Sequence, residues 1–213
     1  MNQAFDIIIV GAGMVGAALA TGLGQQGIRV ALIDKAEPSA FDASRAPDIR
    51  VSALSAGSER YLDSLGPWRS ILAMRATPYR RLAVWDETPN PLSRLLPPSL
   101  TEVEFSAEQL GARHLGHIVE NSITQQALWQ SAEAEPDVTL ITGRSVQDLK
   151  QDQQLARVTL GDGSQLEAQL VIGADGAMSR VRDLAGIGVT RDQYDQQAMV
   201  ISVRYRGSVE DIT

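Results

Sequence analysis

The sequence predicts an α/β fold that begins with a strand, a helix and a second strand. Residues 5–10 are a short apolar run that ends before a glycine, which is typical of a buried parallel strand. Residues 14–26 are rich in Ala, Leu and Val and end before Gly27, which indicates a helix. Residues 29–33 are a second apolar run. Together these segments form a βαβ unit of about thirty residues, whose crossover is expected to be right-handed.

Later segments indicate that β structure is built into this framework. Helices are predicted at residues 52–65 and 122–134, and strands at residues 79–86, 138–142, 156–160, 165–168, 170–173 and 198–205. The sequence Gly-Asp-Gly at residues 161–163 is a hairpin signal. We therefore predict an α/β core at residues 1–75 and 116–190, a β-rich insertion at residues 76–115, and the start of a further sheet at residues 191–213.

Composition argues against several classes of function. The 213 residues carry a formal net charge of -7, which disfavours binding to nucleic acid or anionic lipid. There is no cysteine, which excludes disulfides and cysteine-ligated metals and fits a cytoplasmic location. His114 and His117 are the only histidines, and because no pair of acids lies near them in sequence we expect no metal site. Glycines interrupt the apolar residues 7–23, so we expect no membrane span there.

A glycine-rich loop lies between the first strand and the first helix. Residues 11–16 read G-A-G-M-V-G, which matches the pattern G-x-G-x-x-G. Gly11 permits a tight turn, Gly13 lets the backbone approach a pyrophosphate, and Gly16 allows the helix to pack closely on the strand. The N-terminus of the helix offers free N–H groups and a partial positive charge to phosphates. Asp34 follows the loop by roughly 20 positions, where a carboxylate accepts hydrogen bonds from a ribose.

This pattern predicts a dinucleotide site but leaves the ligand open between FAD and NAD. The carboxylate of Asp34 argues against a 2′-phosphate at that position, because like charges would meet. A glycine-rich turn followed by a solvated aspartate is the alternative interpretation. The residues predicted to bind the cofactor in this part of the chain are Gly11, Gly13, Met14, Val15, Gly16, Asp34 and Lys35.

A second motif lies at residues 172–182, which read I-G-A-D-G-A-M-S-R-V-R. It closely resembles the G-A-D-G-x-x-S-x-V-R motif of the flavoprotein aromatic hydroxylases, the monooxygenases of the p-hydroxybenzoate hydroxylase type. In that family the segment lies near the FAD pyrophosphate and takes part in the use of NAD(P)H. The resemblance implies these roles for Asp175 and Arg182, with Gly176 in the turn. A strand followed by a capped helical turn is the alternative interpretation.

Two further segments resemble this family, and one of them indicates a particular branch of it. Residues 48–55, D-I-R-V-S-A-L-S, are similar to the family's arginine segment, which implies that Arg50 contacts FAD. Residues 116–122, G-H-I-V-E-N-S, resemble the ubiquinone-biosynthesis branch of the family. In related hydroxylases a polar side chain at the position of Asn121 hydrogen-bonds the flavin region. A helix cap explains Asn121 equally well.

Within this branch, residues 74–82, 125–130 and 185–189 are most similar to the members that act on demethoxyubiquinol, whereas residues 114–117 are closer to those that act on an earlier octaprenyl phenol. The resemblance implies a Rossmann-like FAD/NAD(P)-binding domain with an inserted β-rich portion of a substrate domain. It implies an FAD-dependent monooxygenase that hydroxylates the aromatic ring of a polyprenyl phenol or quinol, with NAD(P)H and O2 as co-substrates. No catalytic residue is identified.

Members of the family are much longer than this chain, and their later G-D-A-A-H-x-x-x-P-x-x-G-Q-G segment is absent from it. We therefore expect a truncated N-terminal half that is inactive alone and binds FAD weakly. The expected partners are other ubiquinone-biosynthesis proteins, and the expected location is the cytoplasm, peripheral at the inner membrane. Two alternatives stay open: another FAD oxidoreductase, such as an amine oxidase or a geranylgeranyl reductase relative, and a non-catalytic nucleotide-binding fragment or scaffold in a ubiquinone-biosynthesis complex.

Overall fold

The computed structural model describes residues 3–85, 102–203 and 206. Its strands are β1 (Gln3–Val10), β2 (Val30–Ile33), β3 (Val51–Ser55), β4 (Ala76–Tyr79), β5 (Arg81–Trp85), β6 (Glu102–Ser106), β7 (Gly116–Glu120), β8 (Val138–Ile141), β9 (Val146–Gln151), β10 (Ala156–Leu160) and β11 (Gln165–Gly173). Its helices are α1 (Met14–Gly24), α2 (Ala56–Leu65), α3 (Trp68–Met74), α4 (Asn121–Ala134) and α5 (Arg180–Leu184), with a 3-10 helix at Glu108–Leu110.

A six-stranded sheet with the order β8-β2-β1-β11-β10-β9 forms the centre of the fold. β1 is parallel to both β2 and β11. Its apolar run is buried on both faces, because Ile9 packs with residues of α1 and α4 while Ile8 and Val10 pack with residues of β9, β10 and α5. Burial on both faces accounts for the unbroken apolar sequence of the strand. The predicted βαβ unit and the α/β class are confirmed.

The predicted hairpin is also present, but its second strand is longer than expected. β10 and β11 are antiparallel, as the Gly-Asp-Gly sequence predicted. The prediction of a separate, buried strand at residues 170–173 was wrong, because β11 continues unbroken from Gln165 to Gly173 and Leu170 is half exposed. Pairing with β1 from Leu166 to Gly173 keeps the chain extended through that region.

The helix predicted at residues 52–65 is correct only in its second part. Residues 51–55 form β3, which pairs antiparallel with β7, and α2 starts at Ala56. Ser55 is the N-cap, and its side chain accepts a hydrogen bond from the N–H of Ser58. The non-local pairing with β7 therefore overrides the local preference of these residues. Gly66 ends the helix in the left-handed conformation.

Two other predicted strands differ from the structure. The strand predicted at residues 79–86 is two strands, β4 and β5, which pair in different sheets. The strand predicted at residues 198–205 was wrong for residues 198–203, which do not form a strand. None of the described strands pairs with these residues, and a strand needs a partner to satisfy its backbone groups. Residues 204 and 205 lie outside the described residues.

A three-stranded sheet with the order β3-β7-β4 and the β5–β6 hairpin complete the described structure. β4 to β6 fall within the predicted insertion at residues 76–115, of which residues 86–101 lie outside the described residues. The division into domains stays a prediction, and most of residues 204–213 also lie outside the described part. Among the described helices, none combines the length and the apolar character that a membrane crossing requires.

Candidate dinucleotide-binding site

The glycine loop and the second motif lie side by side because β1 and β11 end together. Val10 pairs with Gly173, so Gly11 and Ala174 follow at the same edge of the sheet. Gly11 has φ 102°, and a Cβ atom there would overlap the carbonyl oxygen of Ala174. Its N–H donates to the carbonyl of Ile33, 2.8 Å away, at the end of β2. Only glycine fits this turn between two closely spaced strands.

The other two glycines of the loop have opposite surroundings. A Cβ atom on Gly16 would overlap the carbonyl oxygen of Gly11, so the start of α1 lies directly on the turn. A Cβ atom on Gly13 would meet no described atom within 4 Å. The open side of Gly13 faces the cleft described below, and it is the space that a pyrophosphate needs to approach the backbone. The loop therefore fits the dinucleotide that the sequence predicted.

The N-terminus of α1 has no competing partner among the described side chains. Gly13 is the N-cap, no side chain caps the helix, and the first turn contains no acidic residue. The N–H groups of Met14 and Val15 belong to this turn, where a helix offers hydrogen bonds and a partial positive charge to an anion. A phosphate is the ligand that such a helix end binds most readily.

Asp34 follows β2 and lies against the glycine loop. Its Oδ2 accepts a hydrogen bond from the N–H of Ala12 at 2.6 Å, and its Oδ1 accepts one from the N–H of Ala36 at 3.2 Å. A carboxylate can accept more than two hydrogen bonds, so these contacts orient Asp34 and leave capacity for ribose hydroxyls. The same side chain thus holds the loop and lines the site.

These parts enclose a cleft of about 710 Å³, which is open to solvent. The predicted residues that line it are Gly11, Gly13, Asp34, Lys35, Asp175 and Gly176. Residues that line it and that the sequence did not single out include Gln125, Arg144, Gln147 and Arg180. A volume of several hundred cubic ångströms is typical of a ligand site.

Gln125 and Arg144 reach the cleft from distant parts of the chain. The side-chain amide of Gln125, on α4, donates to the carbonyl of Ala12 at 3.2 Å and so ties that helix to the glycine loop. The guanidinium of Arg144 lies 2.9 Å from a carboxylate oxygen of Asp162. Arg180 donates to the carbonyl of Gln147 at 3.2 Å. Arg180 belongs to the motif at residues 172–182, and Gln125 to a segment that resembles the family, but neither pattern singled them out as lining residues, because their position depends on how the strands and helices pack.

Asp175 shapes the turn that follows β11. Its carboxylate accepts hydrogen bonds from the hydroxyl of Ser179 and from the N–H groups of Arg180, at 2.6 Å, and Val181, at 3.2 Å. Gly176 has φ 83° within this turn. Burial alone would raise the pKa of Asp175, but the hydrogen bonds from Ser179, Val181 and Arg180 outweigh it and lower the pKa below its ordinary value. The carboxylate therefore supplements Ser179, the N-cap of α5, by accepting from the first two N–H groups of that helix while it lines the cleft.

Replacing Asp175 with asparagine is expected to destabilise the fold by about 1–3 kcal/mol at neutral pH, because one of the two partly buried carboxylate oxygens, both of which accept hydrogen bonds, becomes an amide nitrogen that cannot accept. A lowered folded-state pKa stabilises the fold above the ordinary pKa of aspartate, 3.8, and this stabilisation is lost as pH falls through the folded-state value. The difference in unfolding free energy between wild type and Asp175→Asn should therefore shrink below that pH. Denaturant unfolding at neutral and acidic pH measures it, with the exposed Asp192→Asn as control. Equal stability at neutral pH would contradict the cap.

Arg182 lies next to this turn and outside the lining of the cleft. Its Nη1 donates to the carbonyl of Ala177 at 2.9 Å, and its Nη2 donates to Asp183 at 3.2 Å. Its Nε is buried and has no hydrogen-bond partner in the described structure. These contacts hold the turn in place, and a direct role of Arg182 in cofactor use stays a prediction.

Arg50 and Asn121 also lie apart from the cleft, at the junction of β3 and β7. The backbone N–H of Asn121 donates to the carbonyl of Arg50 at 2.9 Å, and its side chain accepts from the hydroxyl of Ser52 at 2.6 Å. The interpretation of Asn121 as a helix cap was wrong, because Asn121 is the first residue of α4 and Glu120 is its N-cap. No side chain caps the helix there. Contact of Arg50 and Asn121 with FAD stays a prediction.

The two histidines do have an acidic neighbour in space. Glu59 lies 2.9 Å from Nε2 of His114 and 2.6 Å from Nδ1 of His117. Glu59 precedes both histidines by more than 50 positions, so the residues near them in sequence gave no sign of this contact. The three residues lie outside the lining of the cleft.

The fold and this site define a dinucleotide-binding α/β domain. The FAD binding domain family matches residues 4–212, and the chain belongs to that family. Its cofactor is therefore FAD, which agrees with the prediction from the two motifs.

The chain is 46% identical to 3-demethoxyubiquinol 3-hydroxylase of Escherichia coli K12 over its whole length, which covers 51% of that protein. It is 34% identical to the ubiquinone hydroxylase UbiL of Rhodospirillum rubrum and 31% identical to mouse ubiquinone biosynthesis monooxygenase COQ6, covering 45% and 44% of those proteins and 97% and 99% of this chain. The chain thus spans about half the length of the curated relatives it matches.

Solved structures share the fold. PqsL, a probable FAD-dependent monooxygenase from Pseudomonas aeruginosa, superposes with a TM-score of 0.68 at 23% identity, over 90% of this chain and 48% of that one. The p-nitrophenol 4-monooxygenase PnpA of Pseudomonas putida gives a TM-score of 0.67 at 20% identity, over 87% of this chain and 44% of that one. At these identities the likeness is one of fold.

Proposed function

We propose that this chain is the FAD-binding part of a flavin-dependent monooxygenase that hydroxylates the aromatic ring of a polyprenyl phenol or quinol in ubiquinone biosynthesis. The 46% identity to the E. coli 3-demethoxyubiquinol 3-hydroxylase, which extends over the whole chain, carries this proposal. The names of UbiL and COQ6 support it, because both are enzymes of ubiquinone metabolism. NAD(P)H and O2 are the proposed co-substrates.

The residues of the cleft have distinct tasks in this proposal. The first turn of α1 binds the pyrophosphate, and Gly13 leaves the room for it. Asp34 accepts hydrogen bonds from the adenosine ribose while it keeps its contact with Ala12. Arg144 and Arg180 supply positive charge beside the dianionic pyrophosphate, in a chain whose net charge is -7.

FAD, when bound, supplies the redox chemistry that links NAD(P)H and O2 to hydroxylation. The chain's own part is to fix the position of the cofactor. Gln125 and Asp175 hold the two loops on either side of the cleft, since each bonds backbone groups of a loop. A rigid pair of loops orients a ligand without reorganisation on binding.

The proposed substrate carries a polyprenyl tail, so it resides in a membrane. We therefore propose a cytoplasmic protein that works peripherally at the inner membrane, together with other proteins of ubiquinone biosynthesis. Acidic residues outnumber basic ones, 26 to 19, which argues against attraction to anionic lipid as the basis of that association. We therefore propose that contact with partner proteins, and not attraction to anionic lipid, holds the protein at the membrane.

A hybrid enzyme tests the proposed activity. This chain replaces the matching half of the E. coli relative, and the product from a polyprenyl quinol precursor, NADH or NADPH, and O2 is analysed by mass spectrometry. Addition of one oxygen atom to the ring is the expected result. A hybrid that binds FAD but yields no hydroxylated quinol would overturn the function and leave the FAD site standing.

Asp34→Ala, in the isolated chain and in the hybrid, is expected to weaken FAD binding about 10–100-fold, because hydrogen bonds to a charged group contribute about 1.5–3 kcal/mol. Fluorescence titration with FAD measures the affinity. Asp63→Ala is the matched control, since Asp63 is an exposed carboxylate on α2 outside the cleft. An unchanged affinity for FAD in Asp34→Ala would show that Asp34 does not contribute to FAD binding.

A further inference from the structure

A cluster of one carboxylate and two imidazoles lies outside the cleft. Glu59 belongs to α2, His117 to β7, and His114 to the segment just before β7. The two oxygens of Glu59 face different rings, with Oε2 2.9 Å from Nε2 of His114 and Oε1 2.6 Å from Nδ1 of His117. One donor atom from each residue lies within 4.8 Å of the other two.

The packing around the cluster fixes it on one side and leaves it accessible on the other. Glu59 and His117 are buried, and the ring of Trp68 meets the ring of His117 edge-on, with centroids 5.3 Å apart. Gly116, next to His117, permits the close approach of β7 to β3, because a Cβ atom there would overlap the carbonyl oxygen of Leu54 on β3. The side chain of His114 is 27% exposed. Solvent can therefore reach the cluster from the side of His114.

We propose that Glu59, His114 and His117 bind a divalent transition-metal ion, with zinc as the best-matched metal. Imidazole nitrogen and carboxylate oxygen are ordinary zinc ligands, and three protein ligands leave a fourth position for water. Zinc–ligand bonds of about 2.0–2.2 Å place neighbouring ligand atoms of a tetrahedron roughly 3.3 Å apart. The nitrogens and oxygens now 2.6–2.9 Å apart would have to separate by a fraction of an ångström, and the remaining distances between the ligand atoms, which lie within 4.8 Å, would have to adjust to the same spacing.

A cluster held by hydrogen bonds alone is the competing arrangement, because each ring N–H can donate to one carboxylate oxygen. Metal binding requires both facing nitrogens to be unprotonated, so acid competes with the metal and its affinity falls as pH is lowered. The bound ion would join α2 to β7 and raise the melting temperature, because it binds the folded state only. Neither effect depends on FAD, since the three residues lie outside the cleft.

Cobalt and zinc titrations of the full chain test the site. The chain is treated with a chelator and then titrated with Co²⁺, which gives visible absorption bands when bound by nitrogen and oxygen in a low-symmetry site. One Co²⁺ per chain, its displacement by Zn²⁺, and a rise in melting temperature with Zn²⁺ are the expected results. His114→Gln and Glu59→Gln should each weaken binding by at least about tenfold, because even residues that merely support a ligand contribute that much.

The exposed Glu108→Gln is the control and should bind like the wild type. Circular dichroism checks that the variants are folded. His114→Gln is expected to be the better tolerated substitution, because His114 is the least buried of the three residues. Absence of the cobalt bands in the wild type would overturn the proposal. Binding of equal affinity in wild type and His114→Gln would also overturn it, because the ion would then lie elsewhere.

Discussion

Gly11→Ala is expected to lower the free energy of unfolding by about 2–5 kcal/mol. A side chain at φ 102° costs about 1–2 kcal/mol because of its clash with the backbone. The methyl group of the new alanine would also overlap the carbonyl oxygen of Ala174. This overlap overpacks the junction of β1 and β11 and costs about 1–3 kcal/mol more. Urea unfolding followed by circular dichroism measures the change.

Gly27→Ala separates the two contributions. Gly27 also has a positive φ, 74°, but a Cβ atom there would meet no described atom within 4 Å. This control should lose only the conformational part, about 1–2 kcal/mol. If Gly11→Ala costs no more than Gly27→Ala, then the strands do not approach each other as closely as the structure has them.

Gly13→Ala is expected to weaken FAD binding by at least about tenfold while it leaves the fold nearly unchanged, since the loss of a charge-assisted hydrogen bond costs about 1.5–3 kcal/mol. Gly13 has φ -66°, which alanine adopts freely, and the space around its missing Cβ is open. The added methyl group would occupy the room through which the pyrophosphate reaches the first turn of α1. Quenching of flavin fluorescence on titration measures the affinity.

The matched control for this change is Gly188→Ala. Gly188 likewise has open space around it in the described structure and no positive φ, but it lies outside the cleft. Its substitution should alter neither FAD affinity nor stability beyond about 0.5 kcal/mol. Equal FAD affinities in wild type and Gly13→Ala would mean that the dinucleotide does not pass this face of the loop.

Local sequence features predicted the parts of the site that depend on local geometry. The turn at Gly11, the helix start at Gly13 and the carboxylate at Asp34 follow from glycine spacing and from the alternation of strand and helix, and the structure places all three around one cleft. The hairpin between β10 and β11 was predictable for the same reason, because the tight turn that joins two antiparallel strands favours particular residues such as Gly and Asp.

Features that depend on distant pairing were missed. Residues 51–55 have no strand signal strong enough to outweigh a helical interpretation, and their pairing with β7 brings together segments about 65 positions apart. Gln125 and Arg144 line the cleft only because α4 and the start of β9 pack beside the glycine loop. The cluster of Glu59 with two histidines has the same origin, since α2 must pack against β7 before the three residues meet.

The residues of the second motif, at residues 172–182, also stabilise the turn that follows β11, which the resemblance did not imply. Asp175 lines the cleft, and its carboxylate also accepts hydrogen bonds that cap α5. Arg182 holds the carbonyl of Ala177 from outside the cleft. A motif can therefore mark a cofactor site because it builds the loop around it, and contact with the ligand is a separate question that Asp175→Asn and a matching Arg182 variant can address.

Amide hydrogen exchange with and without saturating FAD tests most directly whether the cleft between the two loops is the FAD site. Bound FAD is expected to slow exchange at residues 11–16, at the start of α1, and at residues 174–180, because the ligand covers both loops and restrains their opening. The β5–β6 hairpin, which lies outside the lining of the cleft, should exchange at an unchanged rate. Protection confined to other parts of the chain, or no protection anywhere at saturating FAD, would contradict the site.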